Sequence, residues 1–229
     1  MNSPSIDLKS LKKKIIVRVI VLILFFCLFV LIPAGTFTYW HFYTYAATCF
    51  IPMIFTLRYF LKHDPEFLER RMKLKEQERD QRRIISSSLP IYVASFIIPG
   101  MDFRFGWSSV PVEFVVLADI LVFLSYIFIV RVFKENRFAS RVIQVEQEQC
   151  VISTGPYSIV RHPMYVGVII MYLSTPIALG SYWALIPSVL MPVVMIFRIH
   201  NEEKVLREHL TGYQEYCRNV RYRLIPYIW

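Results

Sequence analysis

Residues 15–32 read IIVRVIVLILFFCLFVLI, an apolar run in which Arg18 is the only charged side chain. About 20 helical residues cross the hydrocarbon core of a bilayer, so this run predicts a transmembrane helix. A basic stretch followed by an apolar run also resembles a signal peptide, but no small-residue cleavage site follows. Instead, Pro33, Ala34 and Gly35 lead into another apolar run, which predicts a tight hairpin between two helices.

Further apolar runs follow along the chain. They span about Phe37–Leu61, Ile84–Pro99, Val112–Val132 and Met164–Phe197. The last is longer than one span and is broken near Gly180 and Ser181, so we expect two short helices that form a hairpin. Turn-forming residues in Met101–Pro111 predict a connection there.

The composition excludes a soluble globular domain. The 229 residues are 55% hydrophobic, which exceeds what a soluble domain of this size buries. The fold class predicted is an all-α polytopic membrane helical bundle that ends in a broken helical hairpin. Residues 1–137 would form the N-terminal transmembrane part, and residues 138–229 a second part within one integrated domain.

The net charge of +9 is distributed around the apolar runs and is not gathered in one block. Nucleic acid is therefore not an expected partner, whereas the lipid bilayer is. By the positive-inside rule, both termini are expected on the cytoplasmic side. The mixed charges of residues 62–83, with Glu66/Arg70 and Glu78/Arg82 at i,i+4 spacing, predict a solvated or surface-lying helix.

Isolated polar residues within the apolar runs have two interpretations. Asp119 lies inside a predicted span, where an acid is costly and is either hydrogen-bonded to a neighbouring helix or functional.

The four cysteines are widely spaced and form no C-x-x-C pair, so neither a zinc site nor a disulfide framework is predicted.

A first polar motif lies at residues 153–165, which read STGPYSIVRHPMY. Gly155-Pro156 predicts a turn, and Pro163 disfavours the helical region for His162 while suiting the first position of a helix. His162 should therefore lie at a helix N-terminus near the membrane boundary. Free backbone N–H groups there favour an anionic group such as a carboxylate.

A second polar motif lies at residues 198–206, which read RIHNEEKVL. Arg198 and Glu202 are four residues apart, so they share a helix face that Leu206 and Leu210 continue. Each motif alone also fits a simpler role, as a headgroup contact or a surface ion pair. Together, on either side of an apolar hairpin, the two motifs indicate one polar pocket.

These residues resemble the membrane-embedded methyltransferases that include isoprenylcysteine carboxyl methyltransferases and phospholipid methyltransferases. The likeness covers about Phe138 to the end of the sequence. It depends on the segment Gly155 to Tyr165 and on Glu202 to Leu206 followed by Tyr213 to Tyr216. Gln149 departs from the pattern, since the carboxyl methyltransferases carry a histidine there.

The resemblance implies an enzyme with S-adenosylmethionine as methyl donor, a cytosolic cofactor-binding segment and no metal. The catalytic residues that it implies are Arg198, Glu202 and His162. The cofactor-binding residues that it implies are Gln144, Gln149, Cys150, Val151, Ile152, Tyr157, His162, Pro163, Met164, Tyr165, Glu202 and Glu203.

The acceptor is expected to be lipophilic and to enter from the bilayer. A prenylated-cysteine-like carboxyl group needs no base, whereas a phospholipid amine must lose a proton, for which His162 or Glu203 are the candidates. Rings of Tyr157 and Tyr165 would favour a cationic sulfonium. A membrane sterol reductase is an alternative enzyme class, and a small transporter or assembly factor, in which Asp119 would matter more, is the non-enzymatic alternative.

Overall fold

The computed structural model describes residues 7–72, 79–139 and 149–229, and the regular structure in these ranges is helical. We number the helices in chain order. They are α1 (Leu8–Ala34, π-helical over Cys27–Leu31), α2 (Trp40–His63), α3 (Pro65–Arg71), α4 (Arg79–Phe105), α5 (Val112–Glu135), α6 (Pro163–Ala178), α7 (Leu185–Ser188), α8 (Met191–His209) and α9 (Tyr213–Asn219).

Within the described ranges, five helical segments are long and apolar enough to cross a membrane. They are Leu8–Ala34, Trp40–His63, Arg79–Phe105, Val112–Glu135 and Leu185–His209, while Pro163–Ala178 is a shorter apolar helix. Large apolar side chains on these helices point outward, as lipid contact requires. The prediction of an all-α, multi-pass membrane bundle is confirmed.

The first two helices form the predicted hairpin. Helix α1 ends at Ala34, where Gly35 takes a left-handed conformation with a φ of 65°, and α2 begins at Trp40. Phe26 and Val30 of α1 pack in one core cluster with Phe42 of α2 and Phe96 of α4. This cluster holds the N-terminal helices together.

The expected end of the third span at Gly100 is wrong. Helix α4 continues through Pro99 and Gly100 to Phe105, so the first residues of the predicted connection Met101–Pro111 are helical. Gly100 is a contact point and not a helix stop: a Cβ atom there would lie 2.4 Å from the Val30 carbonyl oxygen of α1. The missing side chain lets two helices approach closely, as small residues do in membrane bundles.

We expect Gly100→Ala to destabilise the bundle by about 1–3 kcal/mol, because α1 and α4 must separate to admit the methyl group. Thermal unfolding of the purified protein in detergent measures this loss. Ser87→Ala, at an exposed position of the same helix, is the matched control and should change little. Equal unfolding temperatures for the two variants would contradict the close contact at Gly100.

The charged connector 62–83 is not one surface helix as predicted. Helix α3 covers only Pro65–Arg71, and its Phe67 and Leu68 are buried against Leu11 and Phe60 at the ends of α1 and α2. Residues from Arg79 onward already belong to α4. The predicted pair Glu66/Arg70 forms at 3.7 Å, whereas Glu78 lies outside the described residues. Burial of two apolar side chains explains why α3 docks onto the bundle.

The broken hairpin is present, with its break between α6 and α7. Its second arm is longer than predicted, because α8 runs from the apolar Met191 through the charged residues to His209. Buried Asp102 of α4 fixes the break: its carboxylate accepts hydrogen bonds from the backbone N–H and the hydroxyl of Ser108, both at 2.6 Å, and from the Ser181 hydroxyl.

Asp119 of α5 lies beside α2. Thr44 and Thr48 of α2 are its polar neighbours, but its Oδ1 is buried without a hydrogen-bond partner among the described residues. Asp119 does not line the cavity that the two polar motifs form.

Candidate functional site

A cavity opens between the end of α5, the start of α6 and the polar half of α8. Its envelope encloses about 850 Å³ of empty space, open mouth included. Its wall is formed by Asn136, Phe138, Ala139, Gln149, Cys150, Val151, Ile152, Tyr157, Arg161, His162, Met164, Tyr165, Arg198, Glu202, Leu206, Leu210, Tyr213 and Tyr216. The two polar motifs therefore meet in one pocket.

The end of α5 and the start of α6 form two sides of the cavity, and close packing of these helices brings the two sides together. Gly167 of α6 faces α5, where an added Cβ would lie 2.7 Å from Ile129. At the end of α5, Glu135 accepts a hydrogen bond from the Thr154 hydroxyl, next to the turn Gly155–Ser158. Tyr157 of that turn lines the cavity, and burial, with the charges of Glu202 and Glu135 adding to it, raises its pKa to about 12. Its hydroxyl therefore stays a donor.

The start of α6 has the geometry that its sequence predicts. His162 is the residue before the helix, with a φ of −125° and a ψ of 58°, and Pro163 takes the first helical position. His162 is buried, and its Nε2 lies 3.3 Å from Glu203 Oε1. Met164 and Tyr165 of the first turn face the cavity, so the pocket lies at the positive end of α6.

Arg198 and Glu202 of α8 are joined through the hydroxyl of Tyr165. Arg198 Nε donates a hydrogen bond of 2.9 Å to this oxygen, which donates one of 2.7 Å to Glu202 Oε2. The predicted shared helix face is thus completed by a tyrosine from another helix. These two hydrogen bonds fix the Glu202 carboxylate in the wall and link it through Tyr165 to the Arg198 guanidinium.

Glu203 has a different position from its neighbour. It does not line the cavity, and its side chain is only 4% exposed. Oε1 accepts a hydrogen bond from Arg161 Nε at 2.7 Å, and Oε2 accepts one from Arg223 Nε at 3.1 Å. Arg207 lies 3.4 Å from Oε2. Glu203 is the anion of a buried ion cluster behind the cavity wall.

Arg161 attaches the end of the described chain to this cluster. Its Nη1 donates to the carbonyl oxygens of Val220, at 2.8 Å, and Arg221, at 2.7 Å. Burial alone would lower the pKa of the Arg161 guanidinium, but the hydrogen bond and ion pair with Glu203 outweigh burial and raise it. The guanidinium therefore stays charged, and its Nε and Nη1 groups are hydrogen-bonded.

Most of the residues that the resemblance implied come together. Gln149, Cys150, Val151, Ile152, Tyr157, His162, Met164, Tyr165, Arg198 and Glu202 line the cavity. Pro163 and Glu203 do not line it, and Gln144 lies outside the described residues.

Sequence reasoning missed several wall residues. The segment after α5 contributes Asn136, Phe138 and Ala139 and contains no recognisable motif. Arg161 could have been identified, because it directly precedes His162-Pro163. Tyr213 was visible in the Tyr-x-x-Tyr motif. It is 4% exposed, it lines the cavity, and its hydroxyl has no hydrogen-bond partner among the described residues. A buried hydroxyl without a partner at a cavity wall indicates a place for a polar ligand atom.

Parts of the chain are similar to known proteins. Over 82 residues, 34% of this chain, the sequence is 32% identical to a Delta(14)-sterol reductase of Mus musculus, and it spans only 20% of that protein's length. Residues 114–212 match the family described as phospholipid methyltransferase. This match starts at Phe114, earlier than the resemblance at Phe138, and includes both polar motifs. The match confirms, for residues 114–212, the resemblance to a family of integral membrane methyltransferases.

Proposed function

We propose that the protein transfers a methyl group from S-adenosylmethionine to a lipophilic acceptor that enters from the bilayer. The observation that supports this most is the meeting of Glu202, Tyr165 and the strip 149–152 in one cavity at the polar end of apolar helices. The match of residues 114–212 to a methyltransferase family gives independent support.

The walls of the cavity suit the parts of such a donor. Val151 and Ile152 offer apolar contacts for the adenine base of the donor, whereas the Glu202 carboxylate suits its ammonium or sulfonium charge. The start of α6 favours a carboxylate. When bound, S-adenosylmethionine supplies a methyl group on a positive sulfur, and in-line displacement passes it to the acceptor while sulfur takes up the bonding electrons.

The protein's contribution would be alignment and exclusion of water. Tyr165 orients the Glu202 carboxylate, and Tyr157 and Tyr165 present aromatic rings to the cavity. Arg198 places a guanidinium in the same wall, which suits an anionic acceptor. We therefore favour O-methylation of a carboxyl group, as on a prenylated cysteine, over N-methylation of a phospholipid amine.

The two acceptors are distinguished by their products. Purified protein in phosphatidylcholine vesicles is given methyl-labelled S-adenosylmethionine with either a farnesylated cysteine or phosphatidylethanolamine. Base-labile label on the farnesylated cysteine indicates a methyl ester, whereas base-stable label on phosphatidylethanolamine indicates an amine product. Label on neither acceptor, together with no donor binding in calorimetry, would overturn the proposed activity.

The partial identity to a sterol reductase motivates a second candidate function, reduction with a nicotinamide cofactor. Calorimetric titration with NADPH and with S-adenosylmethionine separates the two. Saturable binding of the nicotinamide cofactor alone would favour the reductase over the methyltransferase.

We expect Tyr213→Phe to weaken donor binding by roughly 2- to 10-fold, the usual contribution of one hydrogen bond. Burial raises the pKa of Tyr213, so its hydroxyl is a donor at any physiological pH. Calorimetry measures the affinity, and Tyr222→Phe, outside the cavity wall, is the matched control. Unchanged affinity in Tyr213→Phe would show that this hydroxyl does not contact the donor.

A further inference from the structure

The segment 223–229, which we call the hook, folds back on itself after α9. The Trp229 carbonyl oxygen accepts hydrogen bonds from the backbone N–H groups of Arg223, Leu224 and Ile225, at 2.9, 3.0 and 3.1 Å. Tyr227 turns the chain with a φ of 66°. A backbone closed in this way holds its side chains in fixed directions.

The hook presents two different sides. Leu224 is buried in a cluster with Tyr165 and Ile199, which attaches the hook to α6 and α8. On the outer side, Ile225, Tyr227 and Ile228 are 51%, 89% and 77% exposed. Two isoleucines and a tyrosine that a rigid loop holds outward form an apolar surface, which water alone solvates poorly.

The hook lies where α8 passes from apolar to charged sequence. The Trp229 ring is 5.5 Å from the His200 ring, and Trp229 packs on the cluster that includes Met195. Residues 191–197 of α8 are apolar, and charges begin at Arg198. The change from apolar to charged sequence marks where α8 would pass the boundary between hydrocarbon and water, and this would put the hook near that boundary.

The apolar part of α8 also carries exposed side chains that suit contact with lipid. Val193 and Phe197, just below the boundary, are 48% and 61% exposed. Tyrosine and tryptophan beside arginines are typical of the membrane interface, where a ring lies at the headgroup level and a cation meets phosphate. Arg221, which is exposed two residues before the hook, supplies such a cation.

We propose that the hook is seated in the bilayer interface, with Ile225, Tyr227 and Ile228 inserted at the boundary between headgroups and acyl chains. This contact goes beyond the proposed enzymatic function and does not depend on it. Lipid contact at the hook would also be linked to the cavity wall. The backbone N–H groups of Arg161 and His162 donate to the carbonyl oxygens of Tyr222 and Arg223, both at 2.9 Å.

Site-specific photolabelling in a bilayer tests the proposal. The photoreactive amino acid benzoylphenylalanine replaces Tyr227, or Ile228, in the full-length protein in vesicles of phosphatidylcholine and phosphatidylglycerol. Gln214 is the control position, because it is exposed on α9, beyond His209, which lies roughly 13 Å further along α8 than His200. We expect phospholipid adducts from positions 227 and 228 at several times the yield from position 214.

Equal lipid yields at all three positions, or adducts from 227 and 228 to a second copy of the protein, would overturn the proposal. Hydroxyl-radical footprinting of the unsubstituted protein in the same vesicles is a second measurement. Tyr227 is 89% exposed on the protein alone, so we expect the bilayer to protect it in the vesicles. Oxidation of Tyr227 as fast as that of exposed His209, after correction for intrinsic reactivity, would equally overturn the proposal.

Discussion

Replacement of Glu203 by glutamine is expected to lower the free energy of unfolding by about 3–5 kcal/mol, the cost of breaking a buried ion pair from one side. The amide keeps the shape of the side chain but removes the anion that Arg161, Arg223 and Arg207 share. Thermal unfolding of the purified protein should then occur roughly 6–20 °C lower.

The matched control for this loss is Glu208→Gln. Glu208 is exposed on the same helix, so the same chemical change should leave the unfolding temperature within the scatter of surface substitutions. If Glu203→Gln unfolded at the temperature of Glu208→Gln, the buried cluster would not be the support of the cavity wall that its geometry indicates.

Substitution of Glu202 by alanine is expected to reduce the affinity for S-adenosylmethionine below detection by calorimetry. Truncating one member of a desolvated charge pair costs about 2–5 kcal/mol, or roughly 30- to several-thousand-fold in affinity. The variant also removes the acceptor of the Tyr165 hydrogen bond. Expression and thermal unfolding should remain near those of the parent, because Glu202 lies outside the Glu203 cluster.

Two further variants separate charge from hydrogen bonding at this position. Glu202→Gln retains an acceptor for the Tyr165 hydroxyl and loses only the charge, so a binding defect as large as that of alanine would identify the charge as the recognised feature. Glu208→Ala controls for loss of a carboxylate from α8. Donor binding by Glu202→Ala equal to that of the parent would remove the principal site assignment.

The positions of the spans and the pocket at the start of α6 could be predicted because their signals are local. A long apolar run needs lipid whatever surrounds it, and Pro163 restricts His162 through neighbouring atoms alone. The same holds for Arg198 and Glu202, whose helix face follows from a spacing of four residues.

The remaining features depend on contacts between distant residues. Gly100 has the sequence appearance of a helix stop, and only the approach of Val30 shows that it is a packing site. Glu203 lies beside Glu202 in the sequence, yet its partners Arg161 and Arg223 are 42 and 20 residues away. No spacing rule distinguishes the carboxylate that faces the cavity from the one that supports it.

The ion cluster behind the cavity also sets an order of biosynthesis. Glu203 is joined to both Arg161 and Arg223, so the cluster cannot be completed before residue 223 has left the ribosome. The apolar helices among the described residues all precede Arg223, so they can already be inserted by then. A nascent chain arrested before that residue would keep these helices and lack one cation of the cluster, so quality control that monitors insertion alone would not detect the missing contact.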